Sequence, residues 1–418
     1  MHSDLTNITS NTLHSYVTNL MAKAFFIFAL FPFVSFGTNS MDSQPHYIFL
    51  AIFSFILFAT SGVIFKKSIH ILIILSVVLL TLILMENNFD FTFIRGVGSY
   101  LGFFMTLIVS IIYFNRYGIP IKTIIFANLI YIFCGILQVF YGGLALDFLV
   151  VSNTDGASLK DGVMSLTSEH TFFGIVLYFF SWILLVTYDY NPPKIVKLLI
   201  LVNILSIFLL AKSSMVILYL IITMFAYLLR YWNKRVILKK LLITLLLIVF
   251  SIYFFTEIIP LSRFTSLIYA GGSISEVGLF TKIFNVVGSD ASINDRLLNV
   301  LFPYYGFVEN NGFPGGLNSY NNMSHVLVDR FNGFFWSGLG SNKILSFTGA
   351  FLYELGAIGL FIFFYFYYFL KDRNNPNRFI EIALLFVILH SAIAVAFSLI
   401  PIFIAILYYK KMHSKLHL

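Results

Sequence analysis

Apolar runs of bilayer length recur along most of this 418-residue chain. A hydrocarbon core of about 30 Å needs about 20 apolar helical residues. Runs that meet this need lie near Leu20–Phe36, Tyr47–Phe65, Ile69–Met85, Phe93–Phe114, Ile124–Leu144, Phe172–Tyr188, Ile195–Ala211, Met215–Leu229, Leu241–Ile259 and Ile344–Leu370. The stretch Ile380–Tyr409 is long for one helix and short for two; it reads as two short spans meeting around His390–Ser391. Only 11% of residues are charged and the mean hydropathy is +0.91, values outside the soluble globular range. The expectation is an all-α polytopic membrane protein, one integral membrane domain over residues 1–418 with about 12 transmembrane helices. Met1 to Asn19 is polar and lacks the basic start of a cleavable signal, so the first apolar run is expected to stay as a span.

The net charge of +8 suggests nucleic acid only until the charges are placed. With both termini cytoplasmic, 18 of the 26 basic residues fall on cytoplasmic segments, among them Lys66–Lys67, Lys239–Lys240 and Lys410–Lys411. The outer side keeps Arg95, Lys160, Lys212, Arg263, Lys282, Arg296, Arg330 and Lys343. The positive-inside rule thus accounts for the basic excess, and no nucleic-acid partner is implied. Cys134 is the only cysteine and lies in an apolar run, so no intrachain disulfide can form.

Two outer segments exceed a turn: residues 147–166, and a loop of about eighty residues from Pro260 to Lys343. Five basic and five acidic side chains cancel within the large loop. Ser292-Ile-Asn-Asp295 resembles a capping box opening a helix through Leu301, and Gly312-Phe-Pro-Gly-Gly316 reads as a turn. Its aromatic residues are expected on the bilayer surface or against the bundle. No internal repeat of the kind common in secondary carriers is visible.

Metal and nucleotide motifs are lacking: there is no Asp-x-Asp, no His-Glu-x-x-His, no Walker loop and no Rossmann glycine pattern. Neither a cofactor nor a metal is expected. The candidates that stand out are ionisable groups at outer span ends. Arg95 is either a snorkelling interfacial arginine or an anion contact. Lys212 sits in a polar break between two apolar runs, on the side the positive-inside bias disfavours. Glu169 and His170 open a span, where an acid suits the helix dipole and a Glu–His pair suits acid–base work or sugar hydroxyls. Arg296, His325 and Arg330 lie in the large loop, where solvated charges are ordinary. On a helix His325 and Arg330 would be offset by about 140°. Glu354 is placed about ten residues into its span, roughly 15 Å deep, and an intramembrane carboxylate points to function. His390 reads as a satisfied core or loop histidine.

At these residues the chain resembles the O-antigen polymerase family, within the O-antigen ligase and polymerase superfamily. Thr167-Ser-Glu-His-Thr-Phe-Phe-Gly174 is similar to the family's Ser-Glu-Pro-Ser entry to a central span, with His170 where proline is commoner. Lys212-Ser-Ser214 stands where relatives often carry a Ser-Arg turn, and Ser292 to Arg296 resembles the start of the large loop. Gly338-Leu-Gly340 and Tyr353-Glu-Leu-Gly-Ala-Ile-Gly-Leu360 look like the pattern closing it.

The resemblance implies a GT-C-type, metal-independent glycosyltransferase of the bacterial inner membrane, its site facing the periplasm. It implies undecaprenyl-diphosphate-linked oligosaccharides as donor and acceptor, in contact with membrane lipids. A chain-length regulator and a flippase of the same pathway would be partners. Glu169, His170, His325 and Arg296 would take catalytic roles, and Arg95, Lys212, Arg330 and Glu354 would hold diphosphate or glycan. Two rival readings are an O-antigen ligase acting on lipid A-core, which a catalytic loop histidine such as His325 would favour, and a lipid-linked oligosaccharide flippase or other secondary carrier.

Overall fold

The computed structural model describes residues 2–35, 44–63, 65–86, 89–142, 146, 149–150, 162–230, 291–331, 334–336, 344–372, 375, 377–391 and 393–414. The span expected at Leu241–Ile259, most of residues 147–161, the first part of the large loop and the Gly338–Gly340 motif lie outside them. Among the described residues the chain is helical, apart from two isolated bridges, Val34 with Val150 and Ser346 with Ile393. Five helical segments among the described residues are long and apolar enough to cross a membrane. They are α3 (Lys66–Leu84), α4 (Phe91–Tyr117), α5 (Ile121–Tyr141), α6 (His170–Thr187) and Lys194–Ala211, which is α7 (Lys194–Ser206) with a π-helical end. The remaining helices are α1 (His2–Leu30), α2 (His46–Thr60), α8 (Ser214–Arg230), α9 (Ala291–Glu309), α10 (Tyr320–Arg330), α11 (Phe347–Leu355), α12 (Ala357–Leu370), α13 (Asn377–Leu389) and α14 (Leu399–Ser414).

Contacts divide the chain into two compact units. The first comprises residues 1–83, 93–216 and 396–418. Its centre is α6, apolar all round and buried on nearly every side, as such a helix must be. Phe179 and Trp182 of α6 pack on Phe403 of α14, the Trp182 and Phe403 rings 4.3 Å apart. Outer helices bury one stripe only. In α3 that stripe is Ser68, Ile71, Leu75, Val78 and Leu82, a spacing of three and four. Its other faces expose Ile69, Ile73 and Leu80, and α7 exposes Ile195, Leu198 and Leu201. Such apolar surface suits lipid, and the chain is a helical membrane protein.

The second unit comprises residues 84–92 and 217–395. Here the large loop builds a small core of its own. Phe302 of α9 meets Phe331 and Phe335, with ring centroids 6.0 and 5.0 Å away. Two asparagines of α9 pin the returning chain. Asn294 accepts from the Trp336 backbone and donates to the Phe334 carbonyl, both at 3.0 Å, and Asn299 accepts from Leu345 N at 2.9 Å. The described part of α9 already includes Ser292, so the expected cap falls inside the helix.

The run Ile344–Leu370 is not the single span expected from its length. It breaks at Gly356, whose φ of +59° ends α11 and starts α12. A side chain there would lie 2.4 Å from the Gly312 carbonyl oxygen, so only glycine fits. The break strands carbonyls at the end of α11 and an amide at the start of α12. The turn Gly312–Gly316 meets them: Gly315 N and Gly316 N donate to the Tyr353 and Glu354 carbonyls at 2.8 and 3.3 Å, and Ala357 N donates to Gly312 O at 2.8 Å. Glu354 is therefore not deep within a continuous span but next to the end of a nine-residue helix. The stretch Ile380–Tyr409 forms two helices, α13 and α14, separated by a break from His390 to Ser398.

Candidate functional site

Polar chemistry collects where helices break, and each unit carries one such place. In the first unit the chain before α6 is buried but not helical. Residues 162–168 lie inside the unit, and irregular backbone at such depth needs partners for every amide and carbonyl. Val163 N donates to Leu210 O at 2.9 Å. Gln138 of α5 serves both backbone groups of Ser165, accepting from its amide at 2.6 Å and donating to its carbonyl at 3.3 Å. The Ser165 hydroxyl donates to Tyr131 O at 2.6 Å. A stretch expected to be an outer loop thus ends as an internal strap.

Glu169 is the N-cap residue of α6 with extended backbone, though its side chain makes no capping bond, and His170 is the first helical residue. Both are half-buried. Lys212 follows the π-helical end of α7 in left-handed conformation, φ 48° and ψ 32°, its amide bonded to Ile207 O at 2.9 Å. A lysine in that conformation is strained, since an L side chain crowds its own carbonyl there. Ser168 and Ser213 flank these residues; both are buried, and neither hydroxyl has a hydrogen-bond partner. Arg95 belongs to this unit and is exposed on the first turns of α4.

In the second unit Arg296 of α9 lies within electrostatic reach of the Tyr219 hydroxyl of α8. Tyr219 in turn is hydrogen-bonded to the Ser391 hydroxyl in the break after α13. Beside Ser391, His390 stacks on Tyr304 of α9, ring centroids 5.7 Å apart and planes within 17°. Hydroxyls extend the group. Tyr304 bonds to Thr348 at 3.3 Å, Thr348 is 3.4 Å from the Ser346 hydroxyl, and Ser346 donates to the His390 carbonyl at 2.9 Å. Residues from α8, α9, the start of α11 and the end of α13 thus meet. One cation, two phenols, three hydroxyls and an imidazole form a set suited to hydroxylated, phosphorylated ligands.

The other candidates of this unit sit apart from that cluster. His325 and Arg330 are both on the regular helix α10, so the kink that would let them share one ligand is absent. His325 is exposed. Arg330 reaches the Tyr305 hydroxyl at 2.5 Å and the Glu309 carboxylate, bonds that hold its proton more tightly than usual, and it lies over the Tyr305 ring. Glu354 is buried against the Gly312–Gly316 turn. Sequence reasoning singled out Arg296 but missed Tyr219, Tyr304, His390 and Ser391. Their one visible signal was a histidine and a serine at the junction of two short apolar runs.

No group of three or more histidine, cysteine or acidic side chains able to hold a metal occurs among the described residues. No family model, curated protein or solved structure matches the chain.

Proposed function

We propose that this protein is a GT-C-type glycosyltransferase that polymerises undecaprenyl-diphosphate-linked repeat units of an O-antigen or similar surface polysaccharide. The observation that carries the reading is the gathering of Arg296, Tyr219, Tyr304, His390 and Ser391 from three separate stretches of an apolar helical protein. Guanidinium groups pair with phosphate oxygens, stacked aromatics suit sugar faces, and hydroxyls match sugar hydroxyls.

In this reading about twelve spans cross a bacterial inner membrane with both termini inside. Glu169, Lys212, Arg296 and the His390 break then all fall at outer ends. The growing chain is the donor. An incoming unit's sugar hydroxyl attacks its anomeric carbon with inversion, and the lipid diphosphate leaves. Charge develops on the departing phosphate oxygen, where Arg296 stabilises it. Lys212, in the break between α7 and α8, is a further cation expected from the sequence to hold diphosphate. Glu169, His170 and His325 are the bases expected from sequence. Both substrates are tethered to one membrane, which concentrates them. Arg95 and Glu354 take supporting roles toward diphosphate and glycan.

Deletion tests the reading. A polymerase-null strain should carry lipid A-core with a single repeat unit. Loss of every repeat would instead point to the ligase or the flippase. With purified protein in vesicles, Arg296→Ala should abolish extension at normal expression, and EDTA should leave extension unchanged.

A further inference from the structure

His390 is an exposed imidazole whose proton position is fixed by the fold. It follows the last residue of α13, and its Nδ1 lies 2.6 Å from the Phe386 carbonyl. A carbonyl only accepts, so Nδ1 carries the hydrogen. In the neutral ring the lone pair then belongs to Nε2, the same division of labour that readies a histidine to take a proton. The ring cannot swing freely. Tyr304 stacks on it at 5.7 Å, and its own carbonyl is held by Ser346 at 2.9 Å. The next residue, Ser391, is bonded to Tyr219, which lies within reach of the Arg296 charge. An oriented acceptor nitrogen, open to incoming ligand, therefore stands in the same cluster as the cation expected to meet diphosphate. A satisfied core histidine would be buried with both nitrogens engaged.

We infer that His390 is the general base that takes the proton from the attacking sugar hydroxyl of the acceptor. The inference rests on the polymerase reading above and names a base that the sequence did not suggest. The hydroxyl proton passes to Nε2, the hydroxyl oxygen forms the new bond to the donor's anomeric carbon, and the bond from that carbon to the phosphate oxygen breaks. The electron pair leaves with the lipid diphosphate, and the imidazolium then returns its proton to solvent. Tyr304 holds the ring plane, and the Phe386 carbonyl holds the tautomer.

The test uses the purified full chain in vesicles, supplied with undecaprenyl-diphosphate-linked oligosaccharide extracted from a strain lacking this protein. His390→Asn keeps a donor for the Phe386 carbonyl but removes the basic nitrogen. Turnover should fall by about 10²- to 10⁴-fold, the usual contribution of a general base, while the KM for the acceptor and the expression level hold. In the unaltered protein, diethyl pyrocarbonate should modify His390, stop extension, and be slowed by the lipid-linked oligosaccharide, as read by peptide mass spectrometry. Extension by His390→Asn within a few-fold of the parent would overturn the base while leaving the polymerase reading intact. So would a His390 that reacts without loss of extension, or that does not react at all. Absence of extension by the unaltered protein would overturn the polymerase reading, and the base with it.

Discussion

Replacing Lys212 by glycine and by alanine separates what its backbone costs from what its charge does. Lys212 holds φ 48° and ψ 32° after the π-helical end of α7. An L residue loses about 1–2 kcal/mol in that conformation. Glycine escapes this penalty but is freer in the unfolded chain, which costs it about 0.4–1 kcal/mol relative to alanine. Both variants lose the same side-chain interactions, and both keep the amide that donates to Ile207 at 2.9 Å. The difference between them is therefore the strain less that entropic cost, and Lys212→Gly should be more stable than Lys212→Ala by about 0.5–1 kcal/mol. Thermal unfolding in detergent measures it. Chain extension in vesicles should fall equally in both, because both lack the cation. An alanine variant as stable as the glycine variant would refute the strain argument. A glycine variant with full extension would show that the protein keeps lysine there for something other than charge at the diphosphate.

Gly356→Ala places a methyl group 2.4 Å from the Gly312 oxygen at a φ of +59°. Combining the left-handed penalty with at least one lost backbone bond to the turn, it should destabilise by about 2–3 kcal/mol, whereas Gly98→Ala, with nothing within 4 Å, should not destabilise in the same melts. Gln138→Leu strips partners from the amide and carbonyl of buried Ser165 and should cost about 2–5 kcal/mol, read by denaturation in detergent. Arg378 and Glu381 form an ion pair on α13 with both side chains 2% exposed, at 3.0 Å. Arg378→Ala alone should cost about 3–5 kcal/mol, and Arg378→Met with Glu381→Leu should cost less than the single change. Arg330→Ala removes an exposed pair with Glu309 and should leave chain extension within a few-fold of the parent, in contrast to Arg296→Ala.

The helical class was legible because bilayer-length apolar runs leave few alternatives. The break between α13 and α14 was legible too, since the length of 380–409 suited neither one span nor two. Continuity was misjudged at Gly356. Nothing local distinguishes that glycine from a tolerated helical one such as Gly98; what breaks the helix is the carbonyl of Gly312, more than forty positions earlier. The internal strap before α6 was hidden for a related reason. Residues 162–168 are polar enough to read as a loop, and their burial depends on partners from other helices, the Gln138 side chain and the Tyr131 and Leu210 carbonyls.

The candidate residues divide along the same line. Charges were visible one at a time, because each stands out against apolar neighbours, but which of them meet depends on contacts that no spacing encodes. Arg330 looked like Arg296 in sequence, yet Glu309 and Tyr305 occupy the first, while Tyr219 of another helix lies by the second. His390 was passed over because an apolar surround suggests a core histidine. His390 is exposed just past the end of α13, where the Phe386 carbonyl accepts from its backbone N–H at 3.2 Å and lies 2.6 Å from its ring Nδ1. The end of α13 therefore does more than stop a helix: it fixes the tautomer of the one imidazole in the described cluster.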